Sequence, residues 1–129
     1  MELDAILVLG VEALDQIHAE FSDILIQTQR ASAPEFLTYF SKLIEHSKAH
    51  FAFEESLMRE HNFYGLNEHI KEHQKLLDEM EYFYKKAQKI KAFGRSYIDD
   101  YAFESFHKHV VTIDAQLAMF LKQDNANTL

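Results

Sequence analysis

Cysteine is absent from this 129-residue chain. That removes disulfides, thiolate metal sites, cysteine nucleophiles and c-type haem attachment together, and it fits a reducing compartment. Tryptophan is also absent, and there are only 3 Gly and 1 Pro. An all-β sandwich or barrel needs more turn punctuation than this, so a mainly helical chain is favoured. Positive charge is scarce: 13 Lys and Arg stand against 21 Asp and Glu, a net charge of −8. A nucleic-acid duplex requires a basic footprint, so no nucleic-acid partner is expected. Long apolar runs are missing too. The longest, Ala5 to Val11, is interrupted at Gly10 and followed by Glu12. A bilayer span takes about 20 apolar residues, so no membrane insertion is expected. The opening Met1-Glu2-Leu3-Asp4 lacks the basic segment of a secretory signal. The expectation is a soluble, cytoplasmic protein.

What is present suits one globular domain spanning residues 1–129. Hydrophobic residues make up 47%, and 11 Phe with 6 Tyr supply volume for one core. Turn signals fall at regular intervals. Ser32-Ala33-Pro34-Glu35 reads as a capping box with Pro in the first turn. Asn62-Phe63-Tyr64-Gly65 is a breaker, with Asn67 as a cap. Phe93-Gly94-Arg95-Ser96 reads as another, with Ser96 and Asp99 as a second box. The pieces between them carry apolar residues at three- and four-residue steps, such as Leu14, Ile17, Phe21, Ile24 and Leu25. Helices are therefore predicted over about 12–31, 34–61, 66–92 and 97–123. Short loops predict an all-α, antiparallel up-down-up-down four-helix bundle with a short N-terminal arm, 1–11, and a frayed tail, 124–129. Lys85, Lys86, Lys89, Lys91 and Arg95 read as a solvated helix end.

Eight histidines carry the functional signal: His18, His46, His50, His61, His69, His73, His107 and His109. His50 and Glu54 are one helical turn apart, as are His69 and His73, on or beside the apolar stripe of their helices. His18 lies on the stripe with Leu14, Phe21 and Leu25, and His109 lies between Phe106 and Ile113. Each helix thus delivers an imidazole toward the axis. One inward histidine is ordinarily a satisfied core residue; four helices each doing so is a different matter. Buried imidazoles and carboxylates are costly without partners, and a dication satisfies them together. This donor set without thiolate suits iron, zinc, copper, nickel or manganese. Five imidazoles and two carboxylates are too many donors for one ion, which points to two. A ferritin-like site needs two Glu-x-x-His pairs and two further Glu. Glu104-x-x-His107 and Asp15-x-x-His18 imitate it but leave the other histidines without work. A haem held by Met58 or Met80 ignores the carboxylates.

On these residues the chain resembles the hemerythrins, non-haem di-iron oxygen-binding proteins, and looks most like their single-domain bacterial form. The family pattern is one His, then H-x-x-x-E, H-x-x-x-H and H-x-x-x-x-D on successive helices. Here it is filled by His18; His50 and Glu54; His69 and His73; and His109 and Asp114. The resemblance runs from about Gly10 to Phe120. Asp114 enters by resemblance alone: five residues after His109, it stands about 140° away around an ideal helix. Ser105 occupies a position, four before His109, where some hemerythrins have Trp.

The resemblance implies two iron ions per chain with an oxo or hydroxo bridge. His69, His73 and His109 bind one, His18 and His50 the other, and Glu54 and Asp114 bridge them. The second iron keeps an open position, where O2 binds reversibly. Reversibility requires a dry pocket, with Phe21, Phe51, Phe106 and Val110 as candidate walls. The expected function is carriage, storage or delivery of O2, without catalysis. The alternatives are O2 or redox sensing through a partner protein, or peroxide- or nitric-oxide-consuming chemistry. His46 is expected to be exposed or to support a ligand. His61 is expected at a helix end and His107 facing away.

Overall fold

A computed structural model describes residues 8–127 of the chain, with side chains through residue 123. Among them the chain is helical, without strands, and forms four long helical segments compatible with a four-helix bundle. The first three are α1 (Glu12–Arg30), α2 (Phe36–Glu60) and α3 (Leu66–Lys89). The fourth is composite. It comprises α4 (Lys91–Ser96), a π-helical turn (Tyr97–Tyr101), α5 (Ala102–His109), a second π-helical turn (Val110–Asp114) and α6 (Ala115–Asn127). No helix among the described residues is long and apolar enough to cross a membrane. Most of the expected arm, residues 1–7, lies outside the described residues. The expected tail differs: α6 continues through Asn127.

Local chemistry sets the boundaries. Asp15 accepts hydrogen bonds from the backbone N–H of Leu9 (2.7 Å) and Gly10 (3.0 Å), fastening the approach to α1. Gly10 has φ +84°, a conformation that glycine adopts without penalty. Asn62 ends α2 in the left-handed region, φ 54°, where Asn is the usual alternative to glycine. Two predicted caps are not formed. Residues 33–35 make a turn, so α2 begins at Phe36 rather than at Pro34. Asn67 lies inside α3, whose first flanking residue is Gly65.

The third boundary is a larger correction. The chain breaks at Ile90, in extended conformation, and not at Phe93–Ser96. Gly94 is helical there, and its role is close approach. A Cβ at Gly94 would lie 2.3 Å from the Ala87 Cβ and 3.2 Å from Phe36 Cε2. Ser96 caps nothing; its hydroxyl is 3.4 Å from Asp100 Oδ2. Lys91 and Arg95 consequently leave the basic end of α3. Lys91 Nζ donates to Ala33 O at 3.1 Å. Arg95 donates to Gln29 O at 3.2 Å and to Ala31 O, with its guanidinium over the Phe36 ring. These cations satisfy carbonyls in the last turn of α1 and just beyond it, which the helix itself leaves open.

Two apolar clusters form the core. One contains Phe21, Leu25, Phe36, Phe40, Leu43, Met80, Tyr97 and Phe106. The other contains Leu14, Met58, Phe63, Leu117 and Leu121. In all four segments, residues of the candidate site lie between members of the two clusters or their packed neighbours. Along α1 the order is Leu14, His18, Phe21; along α2 it is Phe40, His50, Met58. On α3 it is Leu66, His73, Met80; on the fourth segment, Phe106, His109, Leu117.

Gly94→Ala is expected to destabilise the fold by about 1–3 kcal/mol, because Ala87 leaves no room for a methyl group. Urea unfolding of the single variant and of Gly94→Ala with Ala87→Gly measures this. Recovery in the double variant locates the cost in that contact; an unperturbed single variant would refute it.

Candidate metal centre

The structure gathers all seven candidate ligands. His18, His50, Glu54, His69, His73, His109 and Asp114 are each at most 4% exposed. They form two groups sharing both carboxylates: Glu54, His69, His73, His109 and Asp114; and His18, His50, Glu54 and Asp114. Each group offers ligand atoms that lie within 4.8 Å of one another.

The carboxylate oxygens divide between the groups. Glu54 Oε1 lies 3.1 Å from His69 Nε2 and 3.0 Å from His73 Nε2. Asp114 Oδ1 lies 2.9 Å from His69 Nε2 and 3.0 Å from His109 Nε2. The other two oxygens serve the other pair. Glu54 Oε2 is 2.5 Å from His50 Nε2, and Asp114 Oδ2 is 3.0 Å from His18 Nε2.

Asp114 reaches the cluster because the helix is not an α-helix there. The π-helical turn Val110–Asp114 closes with the Ala115 N–H donating to the Val110 carbonyl, five residues back. The wider turn returns a residue five positions on to the same face. The offset of about 140° on an ideal α-helix is thereby much reduced.

A metal fits these residues on structural grounds. His109 Nε2 and Asp114 Oδ1 are 3.0 Å apart, yet neither has a hydrogen-bond partner. Both are buried and face a shared point without the alignment of a hydrogen bond. Two donors about 2.1 Å from one ion, at right angles, stand about 3.0 Å apart. The donor chemistry, imidazole plus carboxylate, suits a first-row dication. The cluster can therefore hold metal.

Its electrostatics also balance without metal. Burial pushes the imidazoles of His18 and His69 down, but the carboxylates of Asp114 and Glu54 outweigh it and raise each to about 9. Burial pushes Glu54 up, and His50, His18 and His69 hold it well below the ordinary carboxylate range. Asp114 is lowered likewise, against burial and the Glu54 charge, by His109 and His18.

Aromatic rings surround the imidazoles. Phe51 stacks on His73 with centroids 4.0 Å apart. Phe106 meets His18 edge-on at 5.7 Å and His50 at 5.9 Å. Phe21 stacks behind Phe106 at 3.7 Å, and Val110 is fully buried. All four expected wall residues are core side chains.

Glu55 has a role that the sequence did not reveal. The His73 Nδ1–H donates to Glu55 Oε2 at 2.8 Å, which orients the ring with Nε2 toward Glu54. Only the Glu54-Glu55 doublet hinted at it. Of the remaining histidines, His46 is half-buried rather than exposed, with its ring 5.9 Å from that of His50. His61 flanks the end of α2, and His107 stacks on Phe103 at 5.6 Å. Ser105 donates to Glu79 Oε1 at 3.3 Å. Comparison of the chain with protein-family models, curated proteins and solved structures finds no match.

Metal must displace the protons on His18 and His69. Loading at pH 7 is expected to release about two protons per chain, and affinity is expected to fall as pH drops below 9. Loading in weak buffer with a pH indicator reads the release; metal uptake without it would contradict the charge balance. In the metal-free chain the stability these two groups lend is complete below about pH 6.5 and is lost as pH rises through about 9. Glu55→Ala is expected to weaken metal binding by about 10- to 100-fold through loss of its support for His73. Competition with a chelator of known affinity measures this, and wild-type affinity would rule that support out.

Proposed function

We propose that this chain is a hemerythrin-like protein that binds O2 reversibly at a pair of iron ions, in an antiparallel up-down-up-down four-helix bundle. The observation that carries the proposal is the division of oxygens: each carboxylate turns one oxygen to the three-imidazole group and one to the two-imidazole group. Two ions bridged by two carboxylates require that division. His69, His73 and His109 would hold one iron, and His18 and His50 the other, with Glu54 and Asp114 across both. The two-imidazole group would offer its ion fewer protein donors than the three-imidazole group, so the ion held there would be the one able to take O2. Bound there, a ferrous pair would supply the electrons that reversible O2 binding requires.

The chain's own residues do the rest. Glu54 and Asp114 neutralise the added positive charge inside the core. Phe106, backed by Phe21, faces the rings of His18 and His50 with hydrocarbon. That hydrocarbon face keeps water and proton donors from one side of the two-imidazole group, which supports binding and release over consumption of peroxide or nitric oxide. The alternating cluster order along successive segments supports the antiparallel topology. A single domain built around one buried centre matches carriage, storage or delivery of O2 in the cytoplasm.

Anaerobic reconstitution with ferrous iron tests the proposal. Two irons per chain are expected, with a visible band that appears on adding O2 and vanishes on purging with argon. One iron or none would overturn the di-iron site. Two irons that oxidise and stay oxidised would overturn reversible binding in favour of sensing or peroxide chemistry.

A further inference from the structure

Two members of the cluster line surface grooves: His50 lines a smaller one with Glu20 and His46, and His109 lines the one beside α3. The groove has a volume of about 470 Å³ and is bordered by Glu72, Lys75, Glu79, Ser105 and Lys108. Its charges are unevenly paired. Lys75 Nζ lies 3.3 Å from Glu72 Oε1, so those two satisfy each other. The half-buried Glu79 accepts its hydrogen bond from a neutral group, the Ser105 hydroxyl. His109 is 4% exposed, and neither of its ring nitrogens has a hydrogen-bond partner. An anionic oxygen and an imidazole of the buried cluster, whose Nε2 faces the Asp114 carboxylate and whose Nδ1 has no hydrogen-bond partner, therefore share one groove. The other six ligand residues do not border it.

We propose that this groove is the loading route for the metal: Glu79, with Ser105, captures a hydrated divalent cation, and His109 is the first inner ligand to receive it. The proposal rests on the metal-binding reading above. A carboxylate oxygen exchanges readily for water on a first-row dication, and imidazole then binds more firmly. Transfer from Glu79 to His109 thus runs from the weaker donor to the stronger. Exposed Lys108 stands at the same groove and opposes the approach of a cation.

Stopped-flow loading of the metal-free chain with Co2+, followed by its visible bands, tests the route. Glu79→Gln is expected to slow loading by about three- to tenfold, with the final cobalt content and spectrum unchanged. Lys108→Gln is expected to speed it. Glu35→Gln, the same charge change at an exposed turn before α2, is expected to leave the rate as it was. If Glu79→Gln loads as fast as Glu35→Gln, the route is wrong while the metal centre stands. A wild-type chain that takes up no cobalt would overturn both.

Discussion

Two carboxylates with no exposed surface lie in the middle of this helical structure, and everything near them answers to that cost. An ionised carboxylate in a dry interior is prohibitive unless opposite charge is brought to it. Glu54 and Asp114 receive it from imidazoles on all four helical segments. Without metal, the balance is kept by protons on His18 and His69, both raised to about 9. The same residues could hold metal in place of those protons.

The hydrocarbon around the centre is placed to hold these polar groups in register. One apolar cluster occupies one side along each segment, and the second the other. Phe51 lies flat on His73 while Glu55 holds the far nitrogen of that ring, so its orientation is fixed from two directions. Phe106 and Phe21 close off His18 and His50. Support is uneven elsewhere: the Nδ1 atoms of His50 and His109 lack hydrogen-bond partners. His109 also borders the Glu79 groove, and His50 borders a smaller one with Glu20 and His46.

Much of this is legible in the residues. The i, i+4 pairs His50–Glu54 and His69–His73 lie on apolar stripes, and helical periodicity alone places them inward. Asp114 is not legible in that way. A five-residue step defeats α-helical arithmetic, and the widening of the helix at Val110–Asp114 is a local distortion that side-chain patterning does not announce. The break expected at Phe93–Ser96 fails for a related reason. Glycine near serine resembles a helix boundary, but Gly94 is there because Ala87 packs against its backbone. That is a tertiary contact between consecutive segments, invisible to local sequence. Glu55 is hidden similarly, since its significance depends on a ring carried by another helix.

The central claim is that two ions share Glu54 and Asp114. Anomalous diffraction from crystals of the iron-loaded chain, collected at the iron edge, tests it most directly. Two peaks are expected, one beside His69, His73 and His109 and one beside His18 and His50, with both carboxylates between them. A single peak, or two peaks that do not share Glu54 and Asp114, would contradict it.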